Sequence, residues 1–400
     1  RPTETFEAEA RLTAGSWSQR SAALDVGGPL DAGHTVLARL TIANEDAGSF
    51  FTHDPDYHSF GVDGVLEWRI APQTRLIVEG VYRELGGTAG GPGMPVDPAT
   101  GALFGPVKLA SLIGNRSEFN QGRLFANLTH AFSADWSLSL KAMHTTAFSP
   151  KLTYDYLYNG YFPPAAPGSL IIDRMLAKTD NSRRKLTAVT LDLQGKFKAL
   201  GLQHTLLVGG DFYYRTASFT SYFTCCHPTD YFNQAPVTPD QYVTAVDGFD
   251  PVFGPGFASS GDSRYVNRDF AFYVQDQIVL PGNFHLLAGL RVQRINERTA
   301  ASDVAGNPLV FNPLIRRTAV SPRAGLVWNP LPWLSAYYGY SENIGSNNAL
   351  AYPDTPLDPE QSRQHEAGLK GEWFGGRLNA TLALFELTKR NVANKDLDHP

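Results

Sequence analysis

The feature that most constrains this chain is a two-residue alternation of apolar and polar side chains that recurs from end to end. In residues 187–197, the apolar Val189, Leu191, Leu193 and Phe197 alternate with the polar Thr190, Asp192, Gln194 and Lys196. Because successive side chains of a strand point to opposite faces, this segment has one apolar and one charged face. A soluble sandwich buries the apolar face, whereas a membrane barrel turns it toward lipid and the charged face toward a wet lumen. The alternation alone leaves both all-β architectures open.

The length of the alternating segments favours the membrane. We count about fifteen of them, many spanning about 11–15 residues, whereas globular strands have a mode of about 5–6. A tilted membrane strand needs about 9–11 residues for the hydrocarbon alone. The chain has no run of about 18 apolar residues, so a transmembrane helix is excluded.

The predicted connections alternate strictly between short and long. The short ones are GPLDAG (28–33), APQ (71–73), SAD (133–135), ALGLQ (199–203), LPGN (280–283), NPLP (329–332) and FGG (374–376). The long ones cover roughly 46–57, 87–117, 149–183, 218–264, 299–314 and 344–361. An outer-membrane barrel places tight turns on its periplasmic side and long loops on its extracellular side. This asymmetry selects an antiparallel transmembrane β-barrel over the sandwich.

Tryptophan positions agree with a barrel. Five of the 6 tryptophans lie beside a short turn: Trp68, Trp136, Trp328, Trp333 and Trp373. Indole rings gather where hydrocarbon meets headgroups, so we predict an aromatic girdle at the periplasmic rim. Hairpin-end aromatics of a soluble sheet are the alternative interpretation.

Composition narrows the class of function. Charged residues make up only 18% of the chain, with 17 Tyr and 24 Phe, as is ordinary for a barrel with aromatic girdles. The net charge of -5 and the lack of basic runs argue against a nucleic-acid partner. The 10 histidines are scattered, and no acid, base and nucleophile set converges as a surface enzyme of the small-barrel type would need. We therefore predict a protein that is not an enzyme.

Four segments, in order along the chain, resemble a known family. They are ETFEAEARLTAGSWSQRSAALDVGGPLD (4–31), FAFYVQDQIVLPGNFHLLAGLRVQRIN (270–296), SPRAGLVWNPLPWLSAYYGYSENI (321–344) and PLDPEQSRQHEAGLKGEWFGGRLNATLALFELTKRNV (356–392). The chain is similar to the barrel portion of TonB-dependent outer-membrane siderophore receptors, and most similar to the ferrichrome and ferrioxamine, or hydroxamate, type.

The resemblance implies a Gram-negative outer-membrane location and a barrel of about 22 strands filled by an N-terminal plug. It implies a ferric siderophore as the transported ligand, the TonB complex acting through the plug, and outer-membrane lipid as partners, with no cofactor or protein metal site. We expect residues 1–400 to form the first two-thirds of such a barrel, incomplete at about fifteen strands, with the plug and the last strands not in this chain.

The resemblance also implies a ligand site. KLTYDYLYNGYFPP (151–164) is predicted to open a long loop above the rim, and Tyr154 and Tyr156 match an aromatic pair that contacts the ferric chelate in hydroxamate receptors. With Tyr158 and Tyr161 they form the predicted ligand-binding set; the alternative is an upper aromatic girdle. In the preceding loop, this chain has GGTAGGPGMPVD (86–97) where the ferrichrome receptor has further aromatic contacts to its ligand. The resemblance therefore leaves open whether the ligand is a different hydroxamate or another chelate.

Two further features leave alternatives open. Cys225 and Cys226 are adjacent in FTCCHPTDYF (223–232) and form either a vicinal disulfide or a plain loop pair, since with His227 they make a poor metal ligand set. Import of cobalamin, a sugar or a copper chelate by the same machinery, and an ungated diffusion porin, are the rival functions.

Overall fold

The structure is a computed structural model that describes the backbone of most of the chain. The described residues are 1–48, 57–88, 116–162, 171–230, 249–250, 254–255, 258–302, 306–345, 347, 350–351 and 355–394. Side chains are described in 1–48, 57–87, 117–150, 179–222, 261–302, 306–345, 347 and 357–394.

Every regular element in these ranges is a β-strand. The strands are β1 (Glu7–Ala14), β2 (Arg20–Pro29), β3 (Val36–Ala47), β4 (Tyr57–Ala71), β5 (Thr74–Thr88), β6 (Arg116–Ala131), β7 (Trp136–Phe162), β8 (Ile171–Ala199), β9 (Leu202–Asp230), β10 (Phe249–Asp250), β11 (Gly254–Pro255), β12 (Ala258–Leu280), β13 (Phe284–Ala301), β14 (Val310–Phe311), β15 (Ile315–Leu331), β16 (Leu334–Gly345), β17 (Leu350–Ala351), β18 (Thr355–Pro356), β19 (Glu360–Trp373) and β20 (Leu378–Arg390). No helix in the described part of the chain is long and apolar enough to cross a membrane.

One antiparallel sheet of 16 strands contains all the long strands. Its order is β1-β2-β3-β4-β5-β6-β7-β8-β9-β12-β13-β15-β16-β19-β20, with β14 added beside β13. Each long strand therefore pairs with the next long strand along the chain, and the short pairs β10–β11 and β17–β18 form two separate two-stranded sheets. The sheet is open, with β1 and β20 at its two edges, and no plug domain is present among the described residues. The predicted all-β antiparallel fold is confirmed, and the 15 strands on this path agree with the predicted count of about fifteen.

The seven predicted short links are confirmed as turns between consecutive long strands. The β12–β13 turn shows why the chain reverses there, because Gly282 and Asn283 both adopt positive φ, at 78° and 62°. In the β2–β3 turn, Asp31 accepts hydrogen bonds from the backbone N–H of Val36 at 2.7 Å and from the hydroxyl of Thr35 at 2.8 Å. These contacts favour the charged carboxylate and hold the pKa of Asp31 below its ordinary value.

Two predicted long loops are wrong in extent. Residues 149–183 were predicted as a connection, but β7 continues to Phe162 and β8 begins at Ile171. Residues 218–264 likewise contain the end of β9 and the start of β12. Tyr and Thr favour extended backbone, and each segment pairs with its neighbour well beyond the span a membrane needs. The sheet therefore continues into both of these segments.

The two faces of the sheet differ in chemistry. We call the face that carries Leu191 the outward face and the face that carries Asp192 the inward face. The outward face bears large apolar side chains that are far from buried, such as Leu191 at 47% exposure and Phe272 at 76%. The same parity continues through the paired strands to Leu24, Leu40, Leu66, Leu124, Leu140, Val208, Val274, Leu290, Leu326, Leu369 and Leu382. In the half of the sheet nearer the short turns, the inward face carries charged side chains such as Lys141, Asp211 and Arg291, so this half has the inverted polarity of a membrane barrel.

The predicted periplasmic girdle forms at the short-turn ends of the strands. Trp136 stacks on Phe197 with ring centroids 6.3 Å apart, and Phe284 stacks on Trp328 at 5.6 Å. Trp333 and Trp373 make a third pair at 5.6 Å. Cross-strand aromatic pairs stabilise hairpin ends, and amphipathic rings suit the headgroup level.

Candidate functional site

The predicted ligand-binding tyrosines lie in the outer half of β7. The backbone places Tyr154 opposite Ala177 and Tyr156 opposite Met175 on β8, and Tyr161 opposite Ile172. Tyr158 falls within an irregularity of the pairing between Leu157 and Tyr161. They therefore belong to a strand rather than to the predicted loop. Their side chains, like those of Cys225 and Cys226, lie outside the described residues, so ligand contact by these tyrosines stays a prediction.

Below this hairpin, the inward face holds a polar network that crosses five strands. Asp192 on β8 is its centre and contacts two other strands. The Tyr273 hydroxyl of β12 donates a hydrogen bond to Asp192 Oδ1, and Lys141 Nζ of β7 lies 3.4 Å from Asp192 Oδ2. The carboxylate thus has both a neutral and a charged donor, which stabilises a charge on a face that is partly shielded from solvent.

Arg291 of β13 extends the network by a two-point contact with Asp211 of β9. Nη1 lies 2.5 Å from Oδ2 and Nη2 lies 3.0 Å from Oδ1. The same guanidinium lies 5.6 Å from the ring centroid of Tyr273. The fork geometry of arginine suits such paired contacts, and it fixes the relative positions of β9, β12 and β13.

Small residues let these side chains reach across an intervening strand. Tyr273 crosses β9 at Gly209, its direct partner, where a Cβ would lie 2.5 Å from Tyr273 Cε2. Arg291 crosses β12 beside Ala271, which is only 2% exposed and pairs with Asp211. Larger side chains at either position would occupy the space of the crossing side chain. The sequence therefore encodes the network as much through Gly209 and Ala271 as through its charges.

A second polar group lies farther from the short turns on the same face. Glu297 is 1% exposed and accepts hydrogen bonds from Asn267 Nδ2 at 2.7 Å and from the Tyr265 hydroxyl at 2.8 Å. Arg215 lies over the Tyr265 ring at 4.5 Å from its centroid. Asp269 receives a long contact of 3.3 Å from Gln293 Nε2.

The inward face carries a hydrogen-bonded polar lining. Among the described residues there is no group of three or more His, Cys, Asp or Glu side chains that could hold a metal ion. The carboxylates Asp192, Asp211 and Glu366 all accept hydrogen bonds from the protein, Glu366 from the Tyr337 hydroxyl at 2.6 Å. Each is engaged in stabilising contacts, as expected of a polar surface that faces a wet interior.

The sequence pattern predicted Asp192 on the polar side of its strand but did not reveal that it shares one network with Arg291. The available signal was the pairing of inward charges with small residues on the adjacent strand, such as Gly209 and Ala271. This pairing can be recognised only when the register between the strands is known.

Together the inverted sheet, the alternating turns and the aromatic girdle define a transmembrane β-barrel of the outer-membrane receptor type. The family described as "TonB dependent receptor-like, beta-barrel" matches residues 67–400. The chain belongs to this family.

Individual relatives are receptors for iron chelates by name. The chain is 27% identical to the ferripyoverdine receptor of Pseudomonas aeruginosa over 99% of its own length and 46% of that protein. It is 25% identical to the ferrioxamine B receptor of Salmonella typhimurium, over 97% of the chain and 52% of the relative. The chain thus spans about half the length of these relatives.

A solved structure agrees on the fold. The P. aeruginosa FpvA structure bound to an iron complex of a heterologous pyoverdine superposes with a TM-score of 0.76 at 24% sequence identity, covering 99% of this chain and 50% of that one. At this identity the likeness establishes the architecture alone.

Proposed function

We propose that this protein is an outer-membrane receptor of a Gram-negative bacterium that imports a ferric siderophore with energy supplied through TonB. The observation that carries the proposal is similarity along almost the whole chain to receptors named for ferripyoverdine and ferrioxamine B. Transport requires a barrel that crosses the membrane and a polar interior, and the inverted sheet supports both.

A hydroxamate-containing chelate is the ligand class we favour. Ferrioxamine B and pyoverdine are the ligands of the two relatives, and the Tyr154–Tyr156 pair is the matching element in this chain. Aromatic rings offer large rigid contact area to a compact chelate, and phenol hydroxyls can donate to its oxygens. The iron arrives already coordinated, so recognition acts on the chelator rather than on the metal.

A titration of the complete protein by tryptophan fluorescence tests the proposal. We expect saturable quenching by a ferric hydroxamate, and none by ferric catecholates, cobalamin or the iron-free chelator. Binding of cobalamin with silence toward every ferric chelate would keep the barrel and remove the siderophore assignment. Binding of a catecholate alone would keep iron import and remove the hydroxamate class.

A further inference from the structure

Two arginines lie close together on the inward face, toward the far ends of β8 and β9. The register runs unbroken from Asp192 to Arg184, so Arg184 shares the inward face and pairs directly with Ala217 of β9. Arg215 lies two positions from Ala217 on the same face. Diagonal neighbours of this kind have Cβ atoms about 7–8 Å apart, so the two long side chains can reach one group between them. Both side chains are exposed. We call Arg184 and Arg215 the inner arginine pair.

The pair lies beyond the height of the membrane. Arg215 is thirteen positions beyond Leu202, where β9 begins, and Arg184 is fifteen positions before Ala199, where β8 ends. At about 3.3 Å per residue and a tilt of about 40°, these positions rise about 33 and about 38 Å from the short turns, whereas the apolar band of an outer-membrane barrel is about 25 Å tall. The pair therefore lies on the side of the long connections, where a solute from outside arrives first.

Alanines border Arg184 on both sides. Its partners across the sheet are Ala147 of β7 and Ala217 of β9. A methyl group extends only a short way from the sheet, so the Arg184 side chain has open space on either side. Tyr154 lies seven positions beyond Ala147 on β7. Arg184 therefore belongs to the same hairpin as the tyrosines that are predicted to bind ligand.

Arg215 lies against a fixed aromatic ring. Its guanidinium carbon is 4.5 Å from the ring centroid of Tyr265, which pairs with Ala217. The Tyr265 hydroxyl donates a hydrogen bond of 2.8 Å to Glu297, which is only 1% exposed and also accepts from Asn267 Nδ2 at 2.7 Å. A guanidinium that stacks by its face keeps the N–H donors at its edge available. The ring thus holds Arg215 without consuming its hydrogen-bonding capacity.

The pair also differs in charge balance from the inward cations nearer the short turns. Among the described residues, four of those cations each pair with a carboxylate: Arg39, Arg123, Lys141 and Arg291. No described ion pair includes Arg184 or Arg215. The acids Glu297 and Asp269 in the same region accept from uncharged donors. The inner arginine pair therefore presents positive charge to whatever enters from outside.

We propose that the inner arginine pair binds a free carboxylate of the imported chelate, so that the receptor prefers an anionic ferric hydroxamate whose carboxylate does not coordinate the iron. A guanidinium donates two parallel N–H bonds to a carboxylate, and such charge-assisted bonds are stronger than neutral ones. A neutral chelate gains nothing from the pair, and a cationic chelate is repelled by it. The inference rests on the proposed import of a ferric hydroxamate and narrows its ligand class.

The test compares three forms of one ferric chelate that differ only in charge. Ferrioxamine B carries a terminal ammonium; its N-acetyl form is neutral and its N-succinyl form ends in a carboxylate. Tryptophan-fluorescence titration of the complete protein gives the affinity for each form. We expect the N-succinyl form to bind about tenfold more tightly than the N-acetyl form. This ratio of affinities, which we call the carboxylate preference, should fall as salt screens the charges.

Variants assign the preference to the arginines. R184Q/R215Q should abolish the carboxylate preference and leave affinity for the N-acetyl form within about twofold of the unaltered protein, because the neutral form makes no charge-assisted bond. R184K/R215K keeps the charge and should keep most of the preference. The matched control K196Q/K370Q removes two exposed cations of the inward face near the short turns and should keep all of it.

The contrary outcomes are distinct. Equal affinity of the unaltered protein for the three forms, tightest binding of the ammonium form, or a carboxylate preference that survives in R184Q/R215Q would overturn this inference and leave hydroxamate import standing. Failure of all three forms to bind the unaltered protein would overturn hydroxamate import, and this inference with it. The salt dependence is measured on the unaltered protein, so a preference that high salt leaves unchanged counts against the inference even if a variant fails to fold.

Discussion

The guanidinium of Arg291 donates two hydrogen bonds to the carboxylate of Asp211 across an intervening strand, with Nη1···Oδ2 at 2.5 Å and Nη2···Oδ1 at 3.0 Å. The two residues are 80 positions apart in sequence and lie on β13 and β9, with β12 between them. The contact therefore fixes three strands at once on the inward face.

Removing this contact should destabilise the barrel. R291M leaves the Asp211 carboxylate without its strongest donor, and because both side chains are partly exposed we expect a loss of about 1–2 kcal/mol in the free energy of unfolding. Urea unfolding from lipid vesicles measures it. The double variant R291M/D211N should lose less than the sum of the two single variants, and strictly additive losses would mean that the pair contributes no coupling.

A side chain at Gly209, over which the Tyr273 side chain passes, should destabilise the protein. In G209V the new side chain would meet the Tyr273 ring and displace it from Asp192. We expect a loss of about 1–3 kcal/mol in unfolding free energy. G80V is the matched control, because a Cβ at Gly80 meets no atom within 4 Å and valine favours extended backbone. Equal stability of the two variants would contradict the crossing role of Gly209.

Spin labels at neighbouring residues of β8 can test which face of the sheet meets lipid. Spin labels at Leu191 and Leu193 should be accessible to lipid-soluble oxygen, whereas labels at Asp192 and Gln194 should be accessible to a water-soluble nickel reagent. The reason is that neighbouring residues of β8 face opposite sides of the sheet. The reverse accessibility pattern would contradict the barrel and indicate a soluble sandwich.

The tyrosine pair of β7 is the sharpest probe of ligand recognition. Y154A/Y156A should weaken ferric siderophore binding about tenfold or more, since aromatic anchors dominate such contacts. Y82A, which removes a tyrosine from the outward face of β5, serves as the control and should leave affinity unchanged. If affinity for the chelate survives Y154A/Y156A, the pair belongs to the upper aromatic girdle.

Local sequence predicts much of this architecture, but it does not predict contacts that depend on the register between strands. Leu191 and Asp192 were placed on their correct faces because the strand period is 2 and needs no partner. The turn at Gly282 and Asn283 was equally readable, since both positions require positive φ. The Arg291–Asp211 contact was not, because it depends on the registers of three strands.

The tyrosine segment was misplaced for a different reason. Pro150 and Gly160 bracket Tyr154 and Tyr156, and such residues usually mark a loop. Pairing with β8 overrides that signal, and the strand runs on to Phe162. Pairing with β8, which residue propensities do not take into account, makes this segment a strand.

The measurement that tests the central claim most directly is uptake of a radiolabelled ferric hydroxamate by Gram-negative cells that lack their own receptor for it and express the complete protein. We predict uptake that saturates with chelate and stops when TonB is deleted or the proton gradient is collapsed. Uptake that persists without TonB and rises linearly with chelate would contradict the account and identify a diffusion pore.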